Sequence, residues 1–168
     1  FTGPIESLTP DMAAGAELAI DEVNKSGSFS MGKVSGIRAD STCIDSSAAT
    51  AAAERLITSD KVNGIMGADC SGVTTAILQQ VALANGMVMV SPSATSPALS
   101  TVEDNNLFFR TAPSDARQGQ VIADILQEKG MNSVAISYVN NDYGKGLAAS
   151  IEANHKAAGG TVTISAPH

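Results

Sequence analysis

A chain of 168 residues that is 43% hydrophobic and 16% charged can bury a real core, which excludes a disordered tail, and no apolar run in it reaches membrane-spanning length. The formal net charge is -7 and the ten basic residues are scattered. That balance argues against nucleic acid or an anionic membrane surface as partner and fits acidic periplasmic or secreted solubility.

Phe1-Thr2-Gly3-Pro4 is loop chemistry, so the chain opens on a strand-to-helix connection and an opening strand is expected to be missing. The first helix follows. Thr9 is placed to cap it, Pro10 suits its first position, and Met12, Ala16, Ala19, Ile20 and Val23 form an apolar stripe that Lys25-Ser26-Gly27 ends. Val34 to Ala39 reads as a short strand. After the polar turn Asp40 to Asp45, Ser46 or Ser47 caps an alanine-rich helix through Ile57. Val62 to Gly67 is the next strand, and Ala68-Asp69-Cys70-Ser71-Gly72 turns into a helix bearing Val73, Ala76, Ile77, Gln80 and Val81 that stops near Asn85-Gly86.

Val88-Met89-Val90 is too short for a helix and runs into Ser91-Pro92-Ser93-Ala94-Thr95-Ser96-Pro97, a buried strand whose carboxyl end opens into a rigid polar loop. Open α/β sheets bind ligands at that end. Ser93, Ala94 and Thr95 leave backbone groups uncovered and add hydroxyls, which suits a small zwitterion; a turn bonding only its own backbone is the competing reading.

Leu107 to Arg110 is a compact strand. Thr111-Ala112-Pro113 breaks the pattern and marks a crossing between lobes, and Asp115 with Gln118 supplies a capping box for a helix carrying Val121, Ile122, Ile125 and Leu126. Val134 to Val139 is a strand, Tyr143 to Ala158 a helix closed by Gly159-Gly160, and Thr161 to Ser165 a last strand. Strands alternating with helices imply a three-layer αβα fold around a parallel sheet.

Signal-peptide features are not visible, so the compartment is read from the cysteines. Cys43 and Cys70 form an even pair with no histidine or further cysteine nearby to complete a metal site. A disulfide is their better use, contributing about 3 to 4 kcal/mol by loop closure; two free buried thiols are the alternative.

Enzymatic patterns are thin. Gly144-Lys145-Gly146-Leu147-Ala148-Ala149 has a G-x-G-x-x-A arrangement, but three residues separate it from the strand and no acidic ribose partner lies within the chain. There is no G-x-S-x-G, His155 reads as a solvated helix-face residue, Asp40 and Asp45 read as solvated turn carboxylates, and neither a metal nor a cofactor has a candidate cluster.

Several stretches together resemble the periplasmic solute-binding proteins of the branched-chain amino-acid type, the two-lobed type I binding proteins that feed ABC importers. The matching residues are Thr2-Gly3-Pro4, Gly15 to Asn24, Cys43, Cys70-Ser71, Ser91 to Pro97, Phe109 to Asp115, and Asn141-Asp142-Tyr143-Gly144-Lys145-Gly146, in family order over nearly the whole chain. The resemblance implies an extracytoplasmic amino-acid or small-carboxylate binder, not an enzyme, with an ABC permease as membrane partner. A receptor or regulator domain sensing the same ligands is the alternative. It also implies site roles: Ser71 and Thr95 hold an α-carboxylate, the Ser93 carbonyl and the Thr95 hydroxyl take an α-ammonium, Ala94 shares their loop, and Tyr143 closes from the second lobe. A carboxylate suits Ser71, because free amides and the helix dipole favour an anion where a helix begins.

Two departures accompany this. Ile5 to Thr9 lacks the aromatic that branched-chain binders often place over the ligand side chain. The family's first strand, the rest of its second lobe and its return segment are not among these residues. The expected division is therefore 1-113 for most of the amino-terminal lobe and 114-168 for the beginning of the second.

Overall fold

The computed structural model describes residues 2–168. Helix α1 spans Thr9–Ser26 and ends at Gly27, whose φ of 65° is the left-handed conformation that glycine adopts freely. Thr9 does not cap this helix. It lies inside the first turn, where its hydroxyl donates to the Glu6 carbonyl at 3.0 Å. Helix α2, Ser46–Thr58, is capped by Asp45 instead of either serine, the carboxylate accepting from the amides of Ser47 and Ala48.

Strands β1 (Ile65–Met66), β2 (Met89–Ser91) and β3 (Phe108–Arg110) form a parallel sheet in that order. The helix between β1 and β2 begins as α3 (Ser71–Ile77), widens to a π segment over Leu78–Ala82, and finishes as α4 (Leu83–Asn85). Val73, Leu78 and Val81 of this helix pack with Met89, Ala49 and Ala53 in one apolar cluster; each of the larger side chains contributes about 1.5–3 kcal/mol through burial.

Residues 34–39 do not form a strand. They run without a ladder partner, held at one end where Asn24 brackets Val34 through both its amide oxygen and its amide nitrogen at 2.8 Å. The expected strand over Val62 to Gly67 shrinks to Ile65–Met66 for a related reason: only β2 pairs with it.

Past Thr111-Ala112-Pro113 the chain builds a second parallel pair. Strands β4 (Ser133–Tyr138) and β5 (Thr161–Pro167) pair with a register shift between Val134 and Ala135, and helices α5 (Asp115–Glu128) and α6 (Asp142–Ala157) pack on each other. The capping box at Asp115 and Gln118 does not form. Ser114 caps α5 by accepting from the Ala116 amide, and Asp115 turns inward. Close approach of α5 to α6 depends on Gly119, where an added Cβ would lie 2.2 Å from Ser150 Oγ.

His155 is fully buried, not solvated, and both ring nitrogens lack a hydrogen-bond partner. Gly160 allows this, since a Cβ there would meet Nε2 at 2.2 Å. The glycines of the G-x-G-x-x-A stretch are likewise packing glycines: a Cβ on Gly144 would strike the Val139 carbonyl at 2.1 Å, and one on Gly146 would meet Pro97 at 2.8 Å. Asp40 and Asp45 hold their own turn, Asp45 as the α2 cap and Asp40 by accepting from the Thr2 hydroxyl and the Thr42 amide. Among the described residues no helix is long and apolar enough to cross a membrane.

Candidate functional site

The two corners that follow β1 and β2 are tied to each other by hydroxyl groups. Ser91, fully buried at the end of β2, donates to the Ala68 carbonyl and accepts from the Ala94 amide at 3.0 Å. Ser93 donates to the Asp69 carbonyl at 2.8 Å. Across the gap Ser71 accepts from the Ser96 amide at 3.1 Å. The corners therefore face together, twenty-odd residues apart in sequence and one hydrogen bond apart in space.

The first corner is also held covalently. Cys43 and Cys70 form a disulfide with their Cα atoms 5.2 Å apart, joining the 40–45 turn to the residue that precedes α3. Thr42 and Cys43 both have positive φ, 58° and 73°, which L residues adopt at a cost of about 1–2 kcal/mol each. A bridge that presents Cys43 to Cys70 offsets that cost.

Ser71 is the first helical residue and not the cap, which is Cys70, whose side chain makes no capping bond. The first-turn amides of α3 are thus left to whatever lies at the corner. Because the Ser71 oxygen accepts from Ser96, its own proton remains available for an acceptor, and the residue is only 2% exposed. Thr95 has the opposite polarity. Its hydroxyl donates to Asp115 at 2.8 Å, so its lone pairs remain for a donor.

Asp115 and Arg110 complete the second corner. Asp115 is 1% exposed; its amide donates to the Thr95 carbonyl at 2.9 Å, and desolvation raises its pKa against the opposing pull of the Thr95 hydrogen bond and the Arg110 charge. Arg110 donates to the carbonyls of Ser96 at 2.8 Å and Ala94 at 3.2 Å, clamping the loop from β3. Desolvation lowers the pKa of Arg110, with Asp115 pulling the other way. The side chain of Ala94 is fully buried in the core and its carbonyl is taken by Arg110, so Ala94 shapes the loop.

The structure brings Ser71, Ser93, Ala94 and Thr95 into one place. Tyr143 stands at the first turn of α6, 42% exposed, next to Asp142, whose carboxylate lies against Gly72. An open groove of about 750 Å³ separates the 96–98 turn from α6. Sequence reading overlooked Asp115 as a partner of Thr95 and Arg110 as the loop's clamp. The available signal was a buried-strand arginine followed five residues later by an acid just inside a helix.

A parallel sheet whose carboxyl-end corners open toward a second α/β unit is the type I periplasmic-binding-protein architecture. The ABC transporter substrate-binding protein of Desulfitobacterium hafniense, solved in complex with Leu, superposes with a TM-score of 0.82 and 29% identity over 99% of this chain and 49% of that one. Among curated relatives, the leucine-, isoleucine-, valine-, threonine- and alanine-binding protein of Pseudomonas aeruginosa is 30% identical over 97% of this chain and 43% of its own length. A chemotactic signal transduction system substrate-binding protein of Halobacterium salinarum is 32% identical over 87% of this chain and 36% of its own. Residues 11–167 match the model of the receptor family ligand binding region, and the chain belongs to that family. It spans less than half the length of these relatives.

Proposed function

We propose that this chain carries the head-group pocket of an extracytoplasmic solute-binding protein that captures an amino acid between two lobes for an ABC importer. Residues 1-113 supply most of the first lobe and 114-168 begin the second. The observation that carries this reading is the opposed polarity of the two hydroxyls: Ser71 has a proton to give and Thr95 has lone pairs to offer. An α-carboxylate at Ser71 and the first-turn amides of α3, with an α-ammonium at Thr95 and the Ser93 carbonyl, satisfies both. The Asp115 carboxylate behind Thr95 favours a cation there and disfavours a second anion.

Contacts of α6 with α3 at Gly72 and with the second corner at Gly146 support a closure in which rotation about the 111–113 crossing carries Tyr143 over the pocket. The disulfide supports an oxidising, extracytoplasmic setting. Nucleotide chemistry finds no support, because Gly144 and Gly146 are spent on packing.

Each charge-assisted bond is worth about 1.5–3 kcal/mol, or roughly a tenfold to hundredfold change in affinity. Calorimetric titration with L-leucine should therefore show Ser71→Ala and Thr95→Ala each weakening binding at least tenfold, with Thr95→Ala losing discrimination between L-leucine and the deaminated 4-methylpentanoate. Unchanged affinity in both variants would overturn the pocket. Sensing by the same pocket is favoured by the chemotactic relative, and that reading shares every residue role with transport.

A further inference from the structure

Ser71, Ser93 and Thr95 account for the head group of an amino acid and leave its side chain unassigned. The residues beside them do not make an apolar subsite. Ile5 to Thr9 contains no aromatic to lie over an aliphatic chain, and the residue that leads into the first corner is an acid, Asp69.

Asp69 stands two residues before Ser71, so their Cα atoms lie at most about 7 Å apart. Its backbone is held on three sides. The Asp69 carbonyl accepts from Ser93 Oγ at 2.8 Å, the Ala68 carbonyl before it accepts from the hydroxyls of Ser91 and Thr74, and Cys70 after it is bridged to Cys43. The carboxylate, by contrast, is left over. Among the described residues no hydrogen bond or ion pair engages it, although the residue is half-buried. Asp40 differs, because its carboxylate already accepts from the Thr2 hydroxyl and the Thr42 amide. Desolvation raises the pKa of Asp69 with no opposing partner, whereas a cation beside it would lower that pKa. The residue lines the open cavity beside β1, so a guest can reach it.

We propose that, given the head-group pocket described above, Asp69 determines side-chain specificity by receiving the charged end of a basic amino acid. An unbranched aliphatic stem spans the offset between Ser71 and Asp69, and its terminal cation meets the carboxylate that the protein leaves unpaired. L-leucine shares the head group and therefore binds, less tightly than an amino acid whose side chain ends in a cation.

Amide-shift titrations of this chain with L-lysine and with L-norleucine, which keeps the carbon chain and lacks the ε-ammonium, test the assignment. Lysine should bind at least tenfold more tightly than norleucine, the effect of one charge-assisted bond. Asp69→Asn should bring the two to within about threefold of each other. Norleucine binding as tightly as lysine in the parent chain would overturn the role of Asp69 while leaving the head-group pocket standing, and that comparison needs no variant to fold. A lysine preference that survives Asp69→Asn would overturn it too. If neither ligand binds saturably, or Ser71→Ala weakens neither, the head-group pocket falls and the role of Asp69 falls with it.

Discussion

Asp115 is the residue where charge and burial conflict most. Its carboxyl has a raised pKa chiefly because burial desolvates it, so the native state holds the proton to a higher pH than the unfolded chain does. Native stability therefore falls as pH rises from below the ordinary carboxylate pKa, about 4, through the raised native value. Asp115→Asn keeps an acceptor for Thr95 without the charge, so denaturant titrations at pH 3 and pH 7 should show the variant gaining on the parent as pH rises. An identical pH dependence in both would mean that Asp115 is effectively solvated. His155 offers a complementary test. With both ring nitrogens buried and unpartnered, His155→Leu should leave stability unchanged or improve it by about 1 kcal/mol, because an unpaired polar group is replaced by an apolar one of similar bulk. A loss of several kcal/mol in urea unfolding would show that the imidazole has a partner. Neither residue announces its burial in sequence: His155 follows Asn154 and precedes Lys156, which are polar neighbours of a solvated face.

Among the elements, the α5–α6 contact is the most sensitive to a single methyl. Gly119→Ala gains helix propensity of about 1 kcal/mol but forces a Cβ to within 2.6 Å of Ser150 Cβ, and overpacking of that kind costs about 1–3 kcal/mol. A lower melting temperature is expected, and adding Ser150→Gly should not restore it, because the backbone carbonyl carbon of residue 150 would still lie 2.7 Å from the new Cβ; full recovery in the double variant would show that only the serine side chain resists the methyl. Element types along the chain were legible because apolar period and length separate helices from strands. Caps were not, since Asp45-Ser46-Ser47 and Ser114-Asp115 each offer adjacent groups of equal capping chemistry and only backbone geometry chooses among them. Residues 34–39 show the other limit: Val34 and Ile37 have strand character, yet a strand is defined by the ladder it joins.

At the scale of the whole molecule, one bridge and a few hydroxyls tie two separate strand-to-helix connections together. The Cys43–Cys70 pairing was readable from an even cysteine count with no residues nearby to complete a metal site, and the family context pointed to the neighbouring corners that carry Ser71, Ser93 and Thr95. That Asp115 sets the sense of the Thr95 hydrogen bond was not readable, because it depends on β2 and α5 meeting at the end of the sheet. The central claim is that the two corners together grip the head group of a small zwitterion. The most direct test is a map of amide chemical shifts during titration of this chain with L-leucine at millimolar concentrations. Saturable shifts centred on Ser71, Gly72 and Thr95, with weaker binding and a reduced shift at Thr95 when 4-methylpentanoate replaces leucine, are the predicted result; saturable binding that leaves those three amides unmoved would contradict it.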